Sequence, residues 1–344
     1  MALQRSVLNT ERIQKLIKDY YNINILSVKK LKLGTANCYR ISDETQTYFL
    51  KEFQKGFSKD DLAREANLTD FLIKNQFPTA RFYRTIDNSV GFIYDDSLIC
   101  LQEFVEGTTF GYNDFPKEML PELAEKLGKM HQILRDYPLP TDMGEKWLKR
   151  VSSEAIIAGY EALIPVAEQR TNDSHRERIL SDLKYKKKLV ARSEEFKKHY
   201  KGITYLPTHG DYQGCQLVCE NGHIKAVIDF SSACRLPVAW EIMRSYVQSS
   251  SICRTQAHID IADFCQYVAT YMRFSPLTSI DLASMPYVYL FQLCISKYGY
   301  PQYLKTDSED REGLLQFAFW RTDICREIEE KAEEISRALV NLGR

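Results

Sequence analysis

The sequence predicts an α+β fold in two lobes: a small β-rich N-terminal lobe over residues 1–104 and a larger helical C-terminal lobe over residues 105–344. Three observations carry that expectation. The first hundred residues break into short β-branched or aromatic runs separated by turn residues. After "VEGTTFGYND" the apolar residues recur at helical spacing, in long segments charged on one side. At 344 residues the chain exceeds what one hydrophobic core ordinarily serves, which places a division near residues 104–108. The junction of two such lobes is where a ligand is expected.

The elements follow in order. "MALQRSVLNTERIQKLIKDYY" sets Ile13, Leu16, Ile17 and Tyr20 on one helical face, and it lacks the apolar segment and cleavage site of a signal peptide. Strands are expected in "ILSVKKLKLG", "NCYRIS", "TYFLKEF", "ARFYRT", "VGFIYDD" and "LICLQEFVEG". One helix interrupts them: in "SKDDLAREANLTDFLIKNQ", Ser58 and Asp61 read as a capping pair, and Leu62, Ala66, Thr69 and Leu72 or Ile73 share a face. The helical lobe is carried by "PELAEKLGKMHQIL", "KYKKKLVARSEEFKKHY", "HIDIADFCQYVATYMRF" and "TDICREIEEKAEEISRALVNL". Residues 203–230 are the exception, reading as short strands around loops.

Composition excludes some partner classes. Lys+Arg and Asp+Glu both number 46, so no bulk charge attracts nucleic acid or an anionic membrane. The longest apolar run, "YVYLFQLCI", is too short to span a bilayer. Nine cysteines without paired spacing read as reduced, mostly buried thiols, and a cytoplasmic location is expected.

The chemistry is concentrated in "THGDYQGCQLV" and its neighbours. Asp211 follows His209 and Gly210, an amide side chain stands five residues on at Gln216, and Asp229 closes the apolar strand "AVIDF" eighteen residues on. Upstream, Lys51 lies in "YFLKEF", Glu65 lies on the helix that follows, and Gly34 opens a turn between two strands. Phosphoryl transfer needs such a set: Lys51 to neutralise nucleotide phosphate, Glu65 to hold the lysine, Asp229 to ligate magnesium, and Asp211 to orient the acceptor hydroxyl. Taken singly, each has a duller reading. Lys51 would be a solvated strand lysine, Asp211 a turn aspartate, and Gly34 part of a hairpin turn with one glycine where a phosphate-binding loop has three. Cys215, Cys219 and His223 lack the tight knuckle spacing of a zinc site, and strand alternation would put Cys215, Leu217 and Cys219 into the core.

In "HGDYQGCQ" and "VIDF", supported by "YFLKEF", "REANLTDFL" and "LQEFVEG", the sequence resembles the aminoglycoside phosphotransferase/choline kinase family. That family has a protein-kinase-like fold, and the likeness spans roughly residues 27–250. "VIDFSSACRLPVAWEI" resembles its homoserine-kinase-type branch, with Glu241 where the family has an acid that supports the catalytic loop. The resemblance implies Asp211 as catalytic aspartate, Asp229 and Gln216 as metal residues, and Lys51, Glu65 and Gly34 as the phosphate side of a nucleotide site. Glu103, Phe104 and Val105 would form the hinge whose backbone meets the nucleobase, and His209 would brace the loop. It also implies Mg2+, ATP or GTP as phosphoryl donor, and a small hydroxylated acceptor such as an amino alcohol, aminosugar or aminoglycoside. The protein would work as a monomer or homodimer, without nucleic-acid or membrane partners.

One departure stands out. The family usually has asparagine where this chain has Gln216; the same amide sits one methylene further out, roughly 1 Å or more. Magnesium prefers tight geometry, so a nucleotide-binding but catalytically impaired chain is the alternative reading.

Overall fold

The computed structural model describes residues 6, 8–31, 36–139, 152–307 and 310–343. They form two compact units that interleave in sequence. The first comprises the described residues up to Thr109 together with Gln216–Ser232; the second comprises Phe110–Cys215 and the described residues from Ala233 on. The sequence reading gave everything after residue 104 to the second lobe, whereas residues 105–109 and 216–232 group with the first unit.

The first unit is built on an antiparallel sheet of five strands: β1 (Ser27–Leu31), β2 (Asn37–Ser42), β3 (Thr47–Glu52), β4 (Gly91–Tyr94) and β5 (Ser97–Glu103), in the order β1-β2-β3-β5-β4. Period-two alternation divides its side chains between two faces. Tyr39, Ile41, Tyr48, Leu50, Ile99 and Leu101 pack against Ile13, Leu16, Ile17 and Tyr21 of α1 (Thr10–Tyr21). Each such aliphatic side chain contributes about 1.5–3 kcal/mol on full burial. The inward tyrosine is Tyr21; Tyr20, expected inward, is 36% exposed and stacks on Phe92 at 3.9 Å. The other face packs Cys100 and Leu98 against Leu62 and Ala66 of α2 (Lys59–Lys74). Helix α2 starts where the sequence places its cap: the Ser58 hydroxyl accepts from the Asp61 N–H at 3.1 Å. "ARFYRT" makes one isolated bridge, Phe82 to Gln102, rather than a strand.

The segment 216–232 is a hairpin of β7 (Leu217–Glu220) and β8 (His223–Val227). Its turn is Asn221-Gly222, both at positive φ (53° and 79°), the pairing that lets a two-residue turn match strand twist. Backbone bonds tie it to the first unit: Val227 N–H to Pro78 O at 3.0 Å, and a reciprocal pair between Thr108 and Cys219, both 2.8 Å. Cys215 lies ahead of the strand, in a 3-10 turn over Gly214–Gln216, and is half-buried. The expected Cys215–Leu217–Cys219 face therefore reduces to Leu217 and Cys219, because the strand begins two residues later than its alternation suggested.

The second unit is helical. Its main helices are α3 (Leu120–Leu134), Arg176–Ala191, Val238–Ser249, Ile261–Met272, Ser279–Ile295 and the 32-residue Arg311–Leu342. A two-stranded ribbon, β6 (Tyr205–Thr208) with β9 (Cys234–Pro237), leads into the "HGD" loop. Among the described residues no helix is long and apolar enough to cross a membrane.

Candidate active site

In the first unit, β3 carries Lys51 on the face that looks toward α2, and its ladder partners Cys38 and Cys100 flank it. The Lys51 Nζ lies 3.0 Å from the Asp229 Oδ1, although 178 residues separate them in sequence. Asp229 follows β8 with φ 64°, a left-handed conformation uncommon outside glycine, and Ser231 Oγ donates to the same carboxylate at 2.8 Å. Glu65 on α2 is 4% exposed and is not within ion-pair distance of Lys51; the lysine's direct partner is Asp229. Burial acts to lower the Lys51 pKa, but the Asp229 and Glu65 carboxylates outweigh it and hold the amine above its ordinary value. Burial pushes the Glu65 carboxyl up to about 7, against the pull of Lys51 and with the repulsion of Asp229. One Glu65 oxygen, Oε2, is buried without a hydrogen-bond partner.

This has a measurable consequence. A carboxyl raised in the fold binds its proton more tightly folded than unfolded. Its contribution to stability is full below the ordinary value of 4.5 and is lost as pH rises through about 7. In nucleotide-free, chelator-treated protein, Glu65→Gln is therefore expected to gain stability relative to the parent between pH 5 and pH 8. The gain is on the order of 2 kcal/mol. Thermal melts at the two pH values check it; a difference that does not move with pH contradicts the assignment.

Of the three residues expected to form a hinge, only Glu103 belongs to β5. Glu103 donates its N–H to Arg81 O at 2.9 Å and is the last ladder residue, opposite Tyr48. Phe104 and Val105 lie past the ladder, half-buried, with the Arg40 guanidinium 5.0 Å over the Phe104 ring. Gly34 lies outside the described residues. Gln216 ends the 3-10 turn, and its carbonyl accepts from the Ile228 N–H at 3.0 Å, tying it beside the strand end that precedes Asp229.

In the second unit the "HGD" loop is held from beneath by Glu241, fully buried on the helix Val238–Ser249. Its carboxylate accepts from the Gly210 N–H (2.6 Å) and the His209 N–H (3.1 Å) and bonds the His131 Nε2 (2.8 Å). His131 reaches Tyr271 OH through its other nitrogen at 2.7 Å. Burial works to raise the Glu241 pKa; the hydrogen bonds from His131 and the Gly210 N–H prevail and lower it. Gly210 sits at φ 80°, which a side chain would strain. His209 Nδ1 accepts the Asp211 N–H at 3.2 Å, a bond within the loop itself. Further along, the Gly214 N–H donates to Ser249 Oγ at 2.9 Å, and a Cβ on Gly214 would meet the Phe115 ring at 2.6 Å.

Two residues touching the Asp211 carboxylate were missed by sequence reasoning. Arg244 donates from Nη2 to Asp211 Oδ1, and Gln213 donates from Nε2 to the same oxygen at 3.1 Å. Gln213 is 4% exposed, and its Oε1 is buried without a partner. A usable signal existed for Arg244. It stands three residues after Glu241 in the otherwise apolar "VAWEIMRSYV", so both project from one helix face. Gln213 offered none.

Residues 27–276 match the phosphotransferase enzyme family. Homoserine kinase of Zymomonas mobilis subsp. mobilis is 25% identical over 244 residues, 70% of this chain and 69% of that protein. Among solved structures, spectinomycin phosphotransferase APH(9)-Ia in complex with ADP and spectinomycin superposes with a TM-score of 0.66. It shares 14% identity, over 97% of this chain and 99% of the other. The microcompartment-associated aminopropanol kinase gives a TM-score of 0.62 at 13% identity, over 94% of this chain and 98% of the other. A β-sheet unit and a helical unit of this kind constitute the protein-kinase-like fold these structures share. The chain belongs to the phosphotransferase enzyme family and is a phosphotransferase with an alcohol group as acceptor.

Proposed function

We propose that the protein transfers the γ-phosphoryl group of ATP to a hydroxyl of a small molecule. The observation that carries this is the Lys51–Asp229 pair, 3.0 Å apart: a buried cation for phosphate oxygens beside a carboxylate for their counter-ion. In this reading Lys51 binds phosphate and Glu65 supports its charge from within the sheet unit. The backbone of Glu103, Phe104 and Val105 meets the adenine edge past the end of the ladder; Gly34, outside the described residues, is assigned to the phosphate side. Asp211, oriented by His209 and Glu241 from its own unit, accepts the hydrogen bond of the acceptor hydroxyl and takes its proton as the new O–P bond forms and the γ-phosphorus parts from its bridging oxygen, releasing ADP.

Magnesium fits the donor set. Asp229 is a hard-oxygen carboxylate whose side chain is 36% exposed, and Gln216 stands by the strand end that carries it. Magnesium bound with phosphates keeps much of its water and needs only one or two protein oxygens. When bound, the ion neutralises charge on the phosphate oxygens. The acceptor belongs to the class of small alcohols; amino alcohols, aminosugars and aminoglycosides are its candidate members, given that the matched proteins are named for homoserine, spectinomycin and aminopropanol.

The reading is tested by thermal melts with and without Mg2+ and ATP, followed by a transfer screen over hydroxylated amines, amino acids and aminoglycosides. ATP should raise the melting temperature of the parent, and Lys51→Met should abolish most of that rise, since ligand stabilisation follows affinity. A parent that gains nothing from ATP overturns the proposal. So does a Lys51→Met protein that gains as much as the parent.

A further inference from the structure

We infer that Arg244, Arg254 and Arg321, gathered from three helices of the unit that carries Asp211, bind an anionic group of the acceptor, which makes the acceptor a hydroxylated carboxylate rather than a polyamine. This rests on the phosphotransferase reading, since Asp211 marks where the acceptor hydroxyl lies.

The three arginines come from different helices: Arg244 from Val238–Ser249, Arg254 from Ser251–Gln256 and Arg321 from Arg311–Leu342. Arg254 and Arg321 both lie over the Phe317 ring, at 5.5 and 5.7 Å, and Arg254 reaches Gln248, one helical turn on from Arg244. Arg244 gives Nη2 to Asp211, while its Nη1 is buried and has no partner. Arg254 lies 3.8 Å over the Trp320 ring and otherwise meets the neutral amides of Asn113 (3.2 Å) and Gln248 (3.5 Å). Arg321 donates to Ser296 Oγ at 2.9 Å. Among the described residues neither Arg254 nor Arg321 has a carboxylate partner, while Arg244 has Asp211 and lies within the field of Glu241, so the guanidinium charges outnumber the carboxylates facing them.

That excess is costly unless something compensates it, because a buried charge without a counter-charge loses its hydration for little return. Burial holds both Arg254 and Arg321 below the ordinary arginine value, and the nearby Arg244 charge adds to the effect on Arg321. Arginine still does not shed its proton in a protein, so the positive potential persists until an anion arrives. A guanidinium fork matches a carboxylate, and aromatic walls such as Trp320 keep competing water out. A polycationic acceptor would be repelled from the same place. The geometry also explains what Arg244 does before substrate binds: it occupies Asp211. A substrate carboxylate that engages the unpartnered Nη1 draws Arg244 from Asp211, leaving the aspartate for the hydroxyl.

The experiment uses the full chain with Mg2+ and ATP and matched acceptors: L-homoserine, 3-aminopropan-1-ol (the same skeleton without the carboxylate), an aminoglycoside, and glycerol 3-phosphate as a phosphate-bearing alcohol. L-homoserine is expected to be used at least about tenfold better than the amino alcohol, and Arg254→Gln to raise its KM about tenfold with kcat little changed. Arg321→Lys, which keeps the buried charge but not the fork, should shift KM in the same direction. Neither variant should alter stabilisation by ATP. Preference for 3-aminopropan-1-ol or the aminoglycoside overturns the inference, as does an Arg254→Gln protein that weakens all acceptors equally. Preference for glycerol 3-phosphate overturns the carboxylate assignment in favour of phosphate, and transfer to none of the four overturns it outright. ATP-dependent stabilisation of the parent persists in each of these failures; its absence would instead strike the phosphotransferase reading itself.

Discussion

Asp211→Asn is expected to lower kcat by about 10²–10⁴-fold, the usual worth of a positioned proton acceptor, while leaving the KM for nucleotide within roughly threefold. The asparagine oxygen still accepts from Arg244 and Gln213, so the loop keeps its contacts and the variant tests charge rather than architecture. What disappears is the negative charge that draws the hydroxyl proton. ATP-dependent stabilisation should survive, because Asp211 belongs to the helical unit and Lys51 and Asp229 to the sheet unit. Single-turnover measurements at saturating ATP separate the two effects; unchanged turnover would remove Asp211 from the chemistry.

Glu241→Ala is expected to be the most destabilising single change near the site. Its carboxylate serves the Gly210 and His209 amides and the His131 ring, all in the interior. An unsatisfied buried donor costs about 1–3 kcal/mol, and removal of one partner from a buried charged network about 3–5 kcal/mol. A loss in the latter range lowers the melting temperature by on the order of 10 °C in a unit of this size. Glu241→Gln keeps the shape and one acceptor oxygen and should fall between. A carboxyl lowered in the fold contributes stability above its ordinary range and loses it as pH falls through the lowered value. The gap between parent and Glu241→Gln should therefore narrow in acid. An alanine variant as stable as the parent would show that the loop holds itself.

Much of the fold was legible because local rules and tertiary structure agreed. The strand runs "NCYRIS" and "TYFLKEF" appear as β2 and β3, and "SKDDLAREANLTDFLIK" becomes α2 with its predicted cap. Where the rules lacked a partner, they failed. "ARFYRT" has strand composition but finds only one bridge, and Tyr20 and Tyr21 exchange faces by one residue of helical rotation. The candidate site residues were picked out by order and spacing, and the structure brings Lys51 and Asp229 together, a pairing that order did not name. It gives Lys51 a different direct partner from the Glu65 that sequence suggested.

What the amino-acid sequence determined by itself is the alternation, the helical periodicity, the turn chemistry and the family, since each is written in residues close along the chain or in a recurrent motif. What only the tertiary structure decided is which distant groups meet. The hairpin 216–232 joins the sheet unit through backbone bonds to Pro78 and Thr108, which no side-chain pattern encodes. Arg244, Arg254 and Arg321 come from three separate helices, and their partial withdrawal from water beside aromatic rings is what turns three ordinary surface-type residues into one excess of positive charge. Charge in a sequence is a count; its energy depends on burial and partners, and only the folded chain sets those.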